Sequence, residues 1–193
     1  SSATVNKNTP KASGKIHSSN LCSEICLSTN PEESFVCCLS SMNLLHCEEW
    51  KDTDAVQILT KFLDTVIEEF VEKTEGLPFM QAPRKFAIEQ RALGIGVLGW
   101  HSYLQSKRVA FESLDAKMLT NQIFGHIRDE SLKASSDLAK TLGEPEKLKG
   151  SGRRNMTTQA IIDITRASLD GQVMLSRELA DAAFYPAIDL TGS

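Results

Sequence analysis

An amide, a thiol and a carboxylate stand at every second position of Asn20-Leu21-Cys22-Ser23-Glu24. In an extended segment alternate residues share a face, so Asn20, Cys22 and Glu24 would project to one side. An amide there can orient a substrate hydroxyl and a carboxylate can accept its proton, while sulfur does nucleophilic or one-electron chemistry. A cysteine–histidine hydrolase would need a histidine oriented by a third group. His17 and His46 are available, but no papain-like or caspase-like signature surrounds Cys22.

The other cysteines add little chemistry by spacing alone. All five, Cys22, Cys26, Cys37, Cys38 and Cys47, fall in the first quarter of the chain, and an odd number argues against a disulfide framework. Zinc knuckles need two ligand pairs with two to four intervening residues each, and among the cysteines only Cys22 and Cys26, with three residues between them, have that spacing, so no metal site is expected. Cys26, Cys38 and Cys47 read as small buried hydrophobes. Adjacent Cys37 and Cys38 would point to opposite faces of a strand.

Two glycine motifs invite a nucleotide reading. Gly94-Ile95-Gly96-Val97-Leu98-Gly99 matches G-x-G-x-x-G, but the dinucleotide fingerprint needs a preceding strand, and Ala87 to Leu93 is charged and helical in character. Close packing at a helix junction is the expectation for these glycines. Gly150-Ser151-Gly152-Arg153-Arg154-Asn155 could hold phosphate, but its arginines could equally pair with Glu144 and Glu146, and that structural reading is favoured.

The elements that would position these groups are mostly helical. Val56, Leu59, Leu63, Val66, Ile67 and Phe70 recur at helical spacing over 53–74, with Asp52 or Thr53 as cap and Gly76 and Pro78 beyond the end. Further helices are predicted over 83–92 and 97–107. The longest runs from Ser113, a good N-cap, to Gly143, a C′ residue. Phe35 to Leu39 reads as a buried strand, Ile161 and Ile162 as the start of another, and Leu169 to Ala183 as a final helix. Long helices with two or three fully buried strands do not complete a sheet. The pattern is that of a piece of a larger α/β domain.

Bulk properties narrow the class. Lys plus Arg is 21 and Asp plus Glu is 25, a net charge of −4, which disfavours a nucleic-acid surface. Apolar residues are 41% and charged residues 24%, an ordinary globular balance. No apolar run reaches the roughly 18 residues of a membrane helix, and the polar segment from Ser1 to Ser19 has no secretory core. No membrane association and a cytoplasmic location are the expectations.

Ser19-Asn20-Leu21-Cys22-Ser23-Glu24-Ile25 resembles the active-site finger loop of the class I ribonucleotide reductase large subunit. The likeness continues in order through Phe35-Val36-Cys37-Cys38-Leu39-Ser40-Ser41-Met42-Asn43-Leu44 and Arg91 to His101. It then takes in Gly143-Glu144-Pro145-Glu146 and Gly152-Arg153-Arg154-Asn155. It covers about 8–160 and decays over 161–193, so residues 1–193 read as a partial catalytic barrel domain.

The resemblance implies a fragment of a ten-stranded α/β barrel, helix-rich with a few buried strands, whose centre is threaded by the loop bearing Cys22. It implies that Cys22 becomes a thiyl radical, that Glu24 and Asn20 handle the 3′ hydroxyl, and that Cys37 is one of two reducing cysteines. Ser19, Leu21, Thr165 and Ser168 are the implied substrate-binding residues. The implied partners are a ribonucleoside diphosphate and a small subunit whose metal centre supplies the radical. No cofactor is expected on this segment, and the ATP and deoxynucleotide effector sites would lie outside it. One departure bears on activity. The family's diphosphate loop opens with Pro-Thr, whereas this chain has Asp163-Ile164-Thr165-Arg166-Ala167-Ser168, with a carboxylate beside the expected anion. The alternative expectation is therefore an inactive remnant, or a split-gene fragment that acts only with a complementing large-subunit chain.

Overall fold

The computed structural model of the chain describes residues 6, 15–21 and 26–146. Among these, strand β1 (Leu39–Asn43) leads through a 3-10 turn (Leu44–His46) to helices α1 (Cys47–Trp50), α2 (Ala55–Lys73) and α3 (Gln81–Gln90). Strand β2 (Gly94–Leu98) follows, then helices α4 (Trp100–Ser106) and α5 (Leu114–Leu142).

The two strands pair in parallel, from Leu39 opposite Gly94 to Asn43 opposite Leu98. Parallel neighbours cannot be joined by a tight turn, and the long connection through α1, α2 and α3 provides the crossover. Residues opposite one another in register share a face. Ile95 is buried, and Met42 and Val97 pack against the same core. On the other face Leu39, Ser41, Gly96 and Leu98 are exposed.

The core lies where α2 and α5 pack against each other and against the sheet. Val56, Leu63, Ile67 and Val71 of α2 meet Ile123 and Ile127 of α5, with Leu44 fully buried between strand and helices. Each such side chain stabilises the fold by about 1.5–3 kcal/mol on full burial. Gln57 of α2 also donates to Glu130 of α5. Ser113 caps α5 by accepting from Ala116 N at 3.1 Å, and Gly143 stands past its end at φ 92°.

Several sequence expectations shift. The predicted strand at Phe35 to Leu39 is irregular, and β1 begins where that run ends. The strands are not fully buried, because one face of the sheet is open. Gly94 to Leu98 of the glycine motif form β2 and only Gly99, at φ 78°, stands at a helix start, so the helix expected from 97 begins at Trp100. Helix α3 runs two residues earlier than expected and stops because Arg91 takes a left-handed backbone, φ 46°. Pro83 is tolerated in its first turn, where no intrahelical N–H bond is lost. At the start of α2, Thr53 Oγ1 accepts from Ala55 N at 3.2 Å, while Asp54 marks the boundary. The Gly150–Asn155 segment, the strand expected at Ile161 and the helix expected over Leu169 to Ala183 lie outside the described residues.

Candidate active site

The segment carrying the amide–thiol–carboxylate pattern leaves and returns at one place. Thr29 N donates to Lys15 O at 3.2 Å, and His17 Nδ1 lies 3.1 Å from Thr29 Oγ1. The side chain of Asn6 accepts from Ile16 N at 2.9 Å and donates to Ile16 O at 2.6 Å, as a neighbouring strand would. On the returning side Leu27 is buried with Phe86 of α3 and Ala92. The chain then turns tightly: Asn30 and Glu33 form an antiparallel bridge, and Asn30 Oδ1 accepts from Glu32 N at 2.8 Å. The stretches on either side of the pattern, Lys15 to His17 and Leu27 to Thr29, are thus tied to each other.

Of the pattern's described residues and their neighbour, Ser19 is exposed, Asn20 half-buried and Leu21 fully exposed. Cys22 and Glu24 lie outside the described residues, as do Thr165 and Ser168, so their alignment with Asn20 is not part of the described geometry.

Cys37 stands two residues ahead of β1 and not on a strand. Exposure nevertheless alternates through it: Cys37 exposed, Cys38 buried, Leu39 exposed, Ser40 half-buried, Ser41 exposed. Cys37 therefore sits on the open side of the sheet. Cys38 points the other way and donates from Sγ to Leu63 O at 3.4 Å. Burial pushes the Cys38 thiol pKa up, with Cys37 and Asp64 adding to it, and burial likewise raises that of Cys47. One thiol of the adjacent pair is available to reagents and the other is inert.

A polar cluster lies on the returning side of that segment, and it has no signal in the sequence because its members come from three separate stretches of chain. Ser28, Glu33 and Gln90 are all buried. Gln90 Nε2 lies 3.4 Å from Ser28 Oγ and 3.5 Å from Glu33 Oε2. Next to it, Arg91 donates to the Asp64 carboxylate, to Asp64 O and to Glu68. Among the described residues no group of three His, Cys, Asp or Glu side chains is placed to hold a metal. The glycine motif is not placed as a dinucleotide fingerprint either, because that fingerprint follows a strand, whereas Gly94 and Gly96 lie inside a paired strand and only Gly99 stands at the turn into a helix, one of seven residues.

A family model described as "Ribonucleotide reductase, barrel domain" matches residues 1–167. The chain belongs to this family. The putative ribonucleoside-diphosphate reductase large subunit of Frog virus 3 is 40% identical over 156 residues, 80% of this chain and 28% of that protein. The large subunit of Invertebrate iridescent virus 6 is 37% identical over 174 residues, 89% of this chain and 18% of that protein. Among solved structures, the Actinobacillus ureae class Id ribonucleotide reductase alpha subunit superposes with a TM-score of 0.73 at 52% identity, covering 80% of this chain and 30% of that one. The chain thus spans less than a third of the length of these relatives. The two parallel strands with their helices are a piece of the α/β barrel of a reductase large subunit. Among the described residues no helix is long and apolar enough to cross a membrane.

Proposed function

We propose that this ribonucleotide reductase segment carries the radical-bearing finger loop and one reducing cysteine of a ribonucleoside-diphosphate reductase, acting in the cytoplasm. In this reading the Cys22 thiyl removes hydrogen from C3′ of the ribose, forming S–H as C3′–H breaks. Glu24 takes the proton of the 3′ hydroxyl, which eases departure of the 2′ hydroxyl as water. Asn20 hydrogen-bonds the same region, and Ser19 and Leu21 line the approach. Cys37 and a second cysteine from the first half of the barrel supply two electrons and two protons and become a disulfide. One proton leaves with the 2′ hydroxyl as water and the other ends on C2′, after which Cys22 S–H returns its hydrogen to C3′. Thr165 and Ser168 would donate to the diphosphate. A small subunit with a metal centre generates the radical, and this segment itself contributes no cofactor. Enclosure of the loop by the rest of the barrel would keep water and stray thiols from the sulfur radical.

The observation that carries this reading is the split character of Cys37 and Cys38. The thiol aligned with the family's reducing cysteine is exposed on the open side of the sheet, beside a neighbour buried in the core.

A second reading is favoured by Asp163, which puts a negative charge where the diphosphate would bind. It makes the chain an inactive remnant, or a fragment that works only with a complementing large-subunit chain. The test is an assay of ribonucleoside-diphosphate reduction with a radical-generating small subunit, with and without the remaining large-subunit segments. We expect no turnover by the 193-residue chain alone, and turnover abolished by Cys22→Ser once the other segments are added. No turnover in the completed assembly would favour the remnant.

A further inference from the structure

We propose that Gln90 is a positioning residue that fixes the returning side of the finger-loop segment, at Ser28, relative to the segment bearing Cys37. This rests on the proposed roles of Cys22 and Cys37. Reduction needs the thiyl and the reducing thiol held at a set separation on one substrate. Ser28 follows Cys22 by six residues on the returning side of the loop, and Glu33 precedes Cys37 by four. The Gln90 amide is the donor that reaches both.

The burial of the three side chains gives this bridge its weight. Ser28 is 4% exposed, Glu33 3% and Gln90 5%, next to Leu27, Phe86 and Ala92. Buried polar groups are costly unless hydrogen-bonded, so a shift of either segment away from Gln90 would lose hydrogen bonds that help satisfy these buried atoms. The amide also suits the site chemically. It offers donors to a carboxylate and a hydroxyl, whereas a glutamate at 90 would face Glu33 with like charge.

Gln90 is itself held firmly. It is the last residue of α3, and the next residue, Arg91, is tied to α2 through Asp64 and Glu68. Ser34 N also donates to Ala82 O of α3 at 3.3 Å, so the exit of the turn rests on the same helix. Support therefore runs from α2 through Arg91 to Gln90, and from there to both cysteine-bearing segments.

Gln90→Met in the full chain keeps the side-chain length and removes the donors. The half-buried thiol of Cys26 lies two residues before Ser28 and reports on the returning side of the loop, while Cys38 and Cys47 report on opening of the core. We expect the iodoacetamide alkylation rate of Cys26 to rise about fivefold, with Cys38 and Cys47 unchanged. Ser28→Ala should act in the same direction, and the double variant should add little to Gln90→Met. An unchanged Cys26 rate, or a parallel rise at all three cysteines, overturns the proposal. If Gln90→Met does not fold, Ser28→Ala, which deletes one hydroxyl, decides by the same criteria. In the reconstituted assembly, Gln90→Met should lower kcat with KM for the ribonucleoside diphosphate unchanged, and a change in KM alone would count against it. An assembly inactive even with wild-type chain would refute the thiyl reading, while the Cys26 result would still stand or fall by itself.

Discussion

Arg91 donates from Nε to the Asp64 carboxylate at 2.8 Å while its own backbone holds a left-handed φ of 46°. The same residue thus ends α3 and locks the start of β2 onto α2. Burial works against the guanidinium charge, but hydrogen bonds to Asp64 and Glu68 outweigh it, and the pKa of Arg91 is raised. Asp64 is buried, so removing its partner leaves a carboxylate without that compensation. Arg91→Ala should destabilise the chain by about 2–3 kcal/mol in urea unfolding. Arg91→Gly loses the same contacts but accepts the left-handed backbone, and should cost about 1 kcal/mol less.

A second prediction concerns acid. Hydrogen bonds from Lys107 and then Lys51 hold the Glu48 carboxyl at about 2, well below the ordinary range. A depressed folded pKa means the contribution is present above the unfolded value of about 4.3 and is lost as pH falls toward 2. The group is half-exposed, so the contribution is on the order of 0.2–1 kcal/mol. Wild type should exceed Glu48→Gln in stability near pH 6, and the two unfolding curves should converge by about pH 2. A constant gap across that window would contradict the assignment.

The glycines in and just after β2 give a third. A Cβ on Gly99, at φ 78°, would lie 2.9 Å from Asn43 Oδ1, which accepts from Leu45 N at 3.1 Å. Gly99→Ala should therefore cost about 1–3 kcal/mol in denaturant unfolding, through the strained backbone and the displaced Asn43. At Gly96 a Cβ would meet Ser41 Oγ at 3.1 Å on the open face, so the glycine serves the approach of two strands. Titration with a nicotinamide or flavin dinucleotide should show no saturable binding. Binding that disappears in Gly96→Val would overturn that reading.

The cysteines give a fourth. Iodoacetamide labelling of the native chain, mapped by mass spectrometry, should modify Cys37 well before Cys38 and Cys47. Cys37 is exposed, whereas the other two are buried and their thiols are harder to ionise. Equal rates at Cys37 and Cys38 would mean that the adjacent thiols are not split between open face and core.

Helices α2 and α5 were legible in the residue order because their signals are local. A 3.6-residue apolar repeat, the Ser113 cap and the Gly143 stop all act within one or two turns. Asn20, Cys22 and Glu24 stood out for a different reason: their types and order resemble a family pattern, a likeness that carries no information on their geometry. The strands were not legible in this way. A short apolar run such as Phe35 to Leu39 carries no period that distinguishes it from Leu39–Asn43, and the choice was made by hydrogen bonding to Gly94–Leu98, more than fifty residues away. The same pairing turned a glycine motif into a strand. The bridge from Gln90 to Ser28 and Glu33 also appeared only in three dimensions, because hydrogen bonds between distant segments depend on how α3 packs and leave no periodic trace in the sequence.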